Sequence, residues 1–345
     1  MNERVERLRA ALAEPLLVTN PVNVRYLTGF RSTNAAVLVE PDRVRLFTDF
    51  RYAEKARRLD GVDVIETSRN LLASIAGQLA GRVAFEADTV TYAGWETLRS
   101  GDAEPVPRRR TVERLRAVKD EEELDAIRRA VAVTDRAFER FARERFTGRS
   151  ERELAWRLEQ LLREEGAEAM AFPVVVAAGP TAASPHADPG GRPVGRGETV
   201  VVDAGAEVDG YCADCTRTFA AGELDARLRA AYDVCLDAQL AALAAVRAGV
   251  HGRDADAVAR GRIDATEFAG LFGHGLGHGV GLVVHEEPVM RPESEDVLAP
   301  GNVVSVEPGI YLPGEGGVRI EDIVLVAEDG CDVLTRFPKE RTAVT

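Results

Sequence analysis

Between Phe272 and Glu286 the chain reads FGHGLGHGVGLVVHE, with Gly273, Gly275, Gly277, Gly279 and Gly281 at every second position. Each glycine costs a helix about 1 kcal/mol relative to alanine. Five in alternation therefore exclude a stable helix and predict extended backbone that another segment approaches closely. On such a backbone His274 and His278 point to one side, while His285 points to the other or lies past a bend. The protein has five histidines, and three fall in this run. Clustered imidazoles point to metal binding or proton transfer. The run lacks the strand-turn-helix context of G-x-G-x-x-G and the spacing of H-E-x-x-H, which excludes dinucleotide binding and a helical zinc site.

A second segment, ETVVVDAGAEVDGYCADCTRTFA (198–220), sets a register. Asp209-Gly210 is a strong hairpin signal. With those two residues at the turn, Val208 pairs with Tyr211 and Asp203 faces Thr216. Asp214 is then on the same face as Asp203, a diagonal neighbour about 7 Å away or less. Two carboxylates sharing an apolar face repel and lose hydration, so they need a proton or cations. Taken singly, each also fits a solvent-facing strand residue. Two glutamates stand in equally apolar surroundings: Glu307 ends VVSVE, and Glu321 interrupts VRIEDIVLV. A buried strand glutamate is costly unless paired or metal-bound. Two Asp, one His and two Glu make hard oxygen donors plus one nitrogen, a set suited to a pair of divalent ions such as Mn²⁺, Zn²⁺ or Co²⁺.

The 345 residues are enough for two domains. Short strands alternate with helices through the first hundred residues, an α/β pattern. AAVLVE (35–40) and RVRLFTD (43–49) read as strands, and 71–80 as a helix. DAEPVPRRR (102–110) reads as an exposed linker, which places the domains at 1–112 and 113–345. The second part reads as α+β. Asp120 and Glu123 form a capping box for a long helix, further helices cover 151–166 and roughly 223–247, and long hairpins fill the remainder. Trp95 and Trp156 read as packing residues, and Cys212-x-x-Cys215 lacks the second pair that a zinc site needs. The 44 Lys+Arg against 57 Asp+Glu leave a net charge of −13, which opposes binding to nucleic acid or anionic membrane. No apolar run approaches the ~20 residues of a membrane helix. The charged N-terminus is not a signal peptide, and four cysteines fit a reducing compartment. A soluble cytoplasmic protein is expected.

Taken together, VDAGAEVDGYCADCTRTF, HGLGHGVGLVVHE and SVEPGIYLPGEGGVRIEDIVLV resemble the signatures of the pita-bread metallopeptidases, in the branch of prolidase, aminopeptidase P and creatinase. NPVNVRYLTGF and TDFRY are similar to the smaller N-terminal domain of that branch. The resemblance implies a creatinase-like α/β domain followed by an α+β pita-bread catalytic domain. It implies that Asp203, Asp214, His278, Glu307 and Glu321 hold two divalent ions, Mn²⁺ first, with Asp214 and Glu321 bridging. It also implies that His186, His274 and His285 contact substrate and move protons, and that Arg319 orients a carboxylate. The reaction implied is hydrolysis of Xaa-Pro bonds in short peptides, with metal-activated hydroxide attacking the scissile carbonyl, His285 polarising its oxygen and Glu307 carrying the proton. Dimerisation is implied as well.

The resemblance covers dipeptidases, with prolidase slightly favoured, and aminopeptidase P. Creatinase lacks metals, methionine aminopeptidase generally lacks this N-terminal domain, and non-catalytic binding relatives typically lose ligands that this sequence keeps. A prolidase must neutralise the carboxylate of its C-terminal proline. Many prolidases carry arginine directly after HExP, but here HEEP is followed by Val289, with Arg291 two residues later. Arg51 in TDFRY, or Arg45 before it, is a candidate carboxylate partner by its position in the N-terminal domain, reaching the site of its own chain or of a partner.

Overall fold

In this computed structural model, which describes residues 3–345, the chain divides into units Met1–Arg116 and Ala117–Thr345. The first unit is built on a six-stranded sheet in the order 63–67, 44–49, 35–39, 16–18, 80–86, 102–108. Three of its neighbouring pairs are parallel and two antiparallel. Helices connect the strands, as the alternating pattern requires.

The expected linker at 102–110 is instead the edge strand Asp102–Arg108. It runs parallel to Ala80–Glu86, with Pro105 opposite Val83 and Pro107 opposite Phe85. Proline has no N–H for a ladder and is tolerated where one side of a strand is unpaired. The same composition therefore serves an edge as well as a linker. The arginines that follow stay at the surface, where Arg108 pairs with Glu14 and Arg109 with Asp88.

The expected division after residue 112 falls just before the short helix Glu113–Ala117. Its Arg116 is buried and donates to Asn23 Oδ1 (2.8 Å), while Asn23 Nδ2 donates to both Glu86 and Glu113 (2.6 Å each). This network holds the helix in the first unit.

In the second unit the helix Glu121–Phe141 begins with the expected Asp120/Glu123 capping box, and Glu151–Glu164 is followed by Gly166 at φ 113°. Ala226–Ala245 packs on Gly252–Asp264, a helix that the sequence reading left unassigned. A four-stranded sheet runs in the order 343–344, 216–221, 198–203, 175–178. A five-stranded sheet runs 286–290, 277–279, 303–306, 322–326, 331–333. Trp95 packs against the core of the first unit, but Trp156 is 62% exposed and is not a core residue. Among the described residues no helix is long and apolar enough to cross a membrane.

Phe219 lies at the centre of an aromatic cluster, with ring centroids 5.2 Å from Phe146 and 6.2 Å from both Phe141 and Phe337. Phe219→Ala removes a fully buried ring and is expected to cost about 3–5 kcal/mol. Urea denaturation followed by circular dichroism measures this; a loss below about 1 kcal/mol contradicts it.

Candidate active site

The hairpin adopts the register that its turn dictates. Val208 pairs with Tyr211, and Asp203 with Thr216. Asp209 (φ 50°) and Gly210 (φ 75°) both take the left-handed conformation that a two-residue turn of this kind needs. Between these pairs the strands draw so close that a Cβ on Gly205 would sit 1.8 Å from the Ala213 carbonyl oxygen. Asp214 thus comes beside Asp203. Glu321, just before the strand Asp322–Val326, joins them: its N–H donates to Thr216 O (3.1 Å), and Thr216 Oγ1 donates to Glu321 Oε2 (2.8 Å). One ligand atom each from Asp203, Asp214 and Glu321 lies within 4.8 Å of the others.

His278 reaches the cluster from the glycine-rich run. Gly277, just before it, passes so near the next strand that a Cβ would lie 2.0 Å from Ser305 O. The His278 N–H donates to Ser305 Oγ, which donates in turn to Glu307 Oε1 (3.1 Å each). Glu307 Oε1 also lies 3.1 Å from His278 Nε2, and Asp214 Oδ2 lies 3.8 Å from that nitrogen. All five sequence-derived ligand candidates therefore meet in one place.

Asp203 Oδ1 and Glu321 Oε1 are buried and have no hydrogen-bond partner among the described residues. An orphaned buried carboxylate oxygen is costly, and a cation is the partner that suits it. Four carboxylates and an imidazole fit hard or borderline divalent ions.

The electrostatics agree. Burial, and then the charges of Glu321 and Asp203, push the Asp214 carboxyl well above its ordinary value. Burial, and then Glu307 and Asp203, do the same to Glu321. Asp203 is raised by burial, although Arg319 opposes the shift. Burial acts upward on Glu307, but its hydrogen bond to His278 together with the charges of His278, His274 and Arg319 outweighs this and holds it low. Burial acts downward on His278, but that bond, the charges of Glu307 and Asp203 and the Gly279 carbonyl together raise it.

Asp203, Asp214, His278 and Glu307 open onto a cavity of about 450 Å³ that His186, His274, His285 and Arg319 also line. His285 lies past a bend in the chain and brings its ring to 4.3 Å from that of His278. It is exposed, and burial of part of the ring, together with His278, lowers its pKa. His186 is likewise exposed on the cavity wall. His274 differs from the expectation of a proton carrier, because both of its ring nitrogens have protein partners. Nδ1 faces the Gly275 carbonyl (2.8 Å) and so carries the hydrogen, and Nε2 accepts from Tyr311 Oη (2.8 Å). Burial lowers the His274 pKa and favours this neutral form. Arg319 is buried and donates to Asp203 Oδ2 (2.7 Å), Thr216 Oγ1 (3.0 Å), Tyr311 Oη (3.0 Å) and Pro185 O (3.2 Å).

Arg51 and Arg45 lie in the N-terminal unit, and each has a carboxylate of its own. Arg51 Nε and Nη2 donate to Asp49 (2.9 and 2.7 Å), and Arg45 Nε and Nη2 to Glu40 (2.8 and 3.0 Å). Sequence reasoning missed Tyr311, Thr216, Ser305 and the Asp256–Arg260 pair. Arg260 donates to Phe272 O and His274 O, and Asp256 accepts from the Leu276 N–H, so together they hold the histidine run in place. Their i, i+4 spacing was the available signal, on a helix that the sequence reading did not assign.

The profile for metallopeptidase family M24 matches residues 125–328, and that for the creatinase/prolidase N-terminal domain matches residues 4–118. The chain belongs to metallopeptidase family M24. Its second unit is accordingly the pita-bread domain and its first the creatinase-type domain. An uncharacterised peptidase of Bacillus subtilis, YqhT, is 36% identical, with 98% of this chain and 99% of that one covered. Among solved structures, a Xaa-Pro dipeptidase from Bacillus anthracis superposes with a TM-score of 0.95 at 37% identity, covering 99% of each chain. An X-Pro aminopeptidase from Thermotoga maritima superposes at 0.90 with 33% identity, covering 99% of this chain and 100% of that one.

Carboxyls raised on folding stabilise fully below their unfolded values, and that contribution is lost as pH climbs through the folded ones. Asp214 and Glu321 therefore make the metal-depleted protein less stable from about pH 4 upward, and divalent ions restore it. Thermal melts with chelator and with Mn²⁺ should show a gap that widens from pH 5 to pH 8; a constant gap contradicts this account. Thr216→Val, which strips Glu321 Oε2 of its donor, should lower metal affinity or activity by about 10–100-fold, as titration of the metal-free protein will show.

Proposed function

We propose that this peptidase is a soluble, cytoplasmic, dinuclear Xaa-Pro dipeptidase that works with Mn²⁺ as a homodimer. The observation that carries the metal assignment is the convergence of Asp203, Asp214, His278, Glu307 and Glu321 with two buried carboxylate oxygens left unpartnered. These five residues would hold the two ions. When bound, such ions lower the pKa of water and polarise a carbonyl oxygen. The similarity to the Bacillus anthracis Xaa-Pro dipeptidase over 99% of both chains supports the substrate class.

The chain's own groups divide the remaining work. Glu307 is fixed by Ser305 and lies at the cavity wall, where it takes a proton from the attacking water and passes it to the departing proline nitrogen. That nitrogen belongs to a tertiary amide and becomes a competent leaving group only once protonated. His285, exposed in the cavity, donates to the scissile carbonyl oxygen as negative charge builds there. His186 faces the same space and contacts the substrate. Arg319 holds Asp203 and, through Tyr311, fixes the orientation of His274.

Hydrolysis of Ala-Pro beside Ala-Pro-Ala by Mn²⁺-reconstituted protein tests the reading. Cleavage of the dipeptide is expected. Preference for the tripeptide would make the chain an aminopeptidase P, as the Thermotoga maritima neighbour favours, and silence on both with metal bound would reject proline specificity. His285→Ala should lower kcat by about 10²–10³ while bound metal stays constant. An unaltered kcat would place the carbonyl's partner elsewhere.

A further inference from the structure

We infer that the buried ion pair of Lys119 and Glu286 positions His285, fixing the angle at which its ring meets the scissile carbonyl oxygen. This rests on the role given to His285 above and names the two positioning residues through which the fold enforces it.

His285 closes a bend at 281–285, and Glu286 opens the strand Glu286–Met290. A ring carried on a bend is held less precisely than one on a strand or helix, so it needs support from its neighbours. While His285 lines the cavity, the Glu286 side chain is 5% exposed and folds back into the bend. Its Oε1 accepts from the Val283 N–H (3.1 Å). A Cβ on Gly281 would lie 2.7 Å from Glu286 Oε2, so the carboxylate fills the space that a side chain there would take. The start of the bend is held separately, where the Cys212 N–H donates to Gly281 O (2.8 Å).

Lys119 supplies the fixed end. Its side chain is 1% exposed, and Nζ donates to Glu286 Oε2 (3.0 Å). Its own N–H donates to Gly301 O (2.9 Å), and Asn302 Nδ2 donates to Ala117 O (2.9 Å). The next residue, Asp120, caps the helix Glu121–Phe141. Residues 301–302 lead into Val303–Val306, the strand that ends just before Glu307. The ion pair therefore ties the bend that carries His285 to the strand that carries Glu307. In the reaction proposed above these two act on one bond, His285 at the carbonyl oxygen and Glu307 at the departing nitrogen, so their separation has to be held. Desolvation offsets most of the attraction in a buried ion pair. Placement, more than stability, is what Lys119 and Glu286 contribute.

Steady-state kinetics of the Mn²⁺-loaded protein on Ala-Pro, with and without His285, test the inference. Lys119→Met combined with Glu286→Gln removes both charges at similar volume and leaves neither one buried alone. The pair of substitutions should lower kcat about 10–100-fold, the loss that a displacement of about 1 Å at a reacting centre produces. KM and bound Mn²⁺ should match the unsubstituted protein. Introduced into His285→Ala, the same pair should lower kcat no further, because the group it acts through is gone. Lys119→Arg, which keeps the charge and spares the fold, should give a smaller loss with the same dependence on His285. Equal fractional losses with and without His285, or an unaltered kcat, would overturn the inference and leave the Xaa-Pro reading standing. If His285→Ala itself left kcat unaltered, the role given to His285 would fall and this inference with it.

Discussion

Four carboxylates brought into one buried place repel one another in surroundings that screen charge poorly. The rest of the second unit can be understood as the means of tolerating that crowding. One carboxylate comes from each arm of the hairpin at 198–221, one follows the strand Val303–Val306, and one lies where the chain passes from Gly316–Arg319 to Asp322–Val326, strands of two different sheets. No single element carries more than one acid of the cluster near another in sequence, so only the completed fold brings them together. Arg319 offsets part of the charge, and the two oxygens that remain without a hydrogen bond are the outlet for the rest.

Behind the cluster lies a second set of buried charges, in which every group is paired. Asp322, next to Glu321, accepts from Arg217 and Gln239 (2.8 Å each) and pairs with Lys339. Arg217 also donates to the backbone oxygens of Glu321, Phe337 (2.6 Å) and Pro338 (2.9 Å). Buried ion pairs add little net stability, since desolvation offsets the attraction. Here they fix position. Thr216 and Arg217 on one strand grip Glu321 and Asp322 at the start of another, with one pair facing the cavity and the other facing the C-terminal segment. The open, under-partnered front of the site is held by a closed, saturated back.

The hairpin was legible in the sequence because its turn is local and its side chains alternate with period two: from Asp209-Gly210 alone the pairing of Asp203 with Thr216 could be counted. The glycine run was legible because no helix accepts it. What escaped depends on partners far along the chain. His274 reads as a free imidazole until Tyr311, 37 residues on, occupies its Nε2. Arg51 reads as an available cation until Asp49 is seen gripping it. Pro105 and Pro107 carry the same composition in a linker and on a sheet edge, and only the neighbouring strand distinguishes the two. The helix Gly252–Asp264 hides behind its glycines and charges, because its stability comes from packing on Ala226–Ala245.

The uninterrupted register between Asp203 and Thr216 makes this hairpin a ruler. Adding one residue to a single arm would turn every later side chain to the opposite face and carry Asp214 away from its partners. An arm can lengthen only if the opposite arm lengthens with it. In descendants of this sequence, changes of length here should therefore be confined to matched pairs flanking Asp209-Gly210, while the surface connections elsewhere grow and shrink freely.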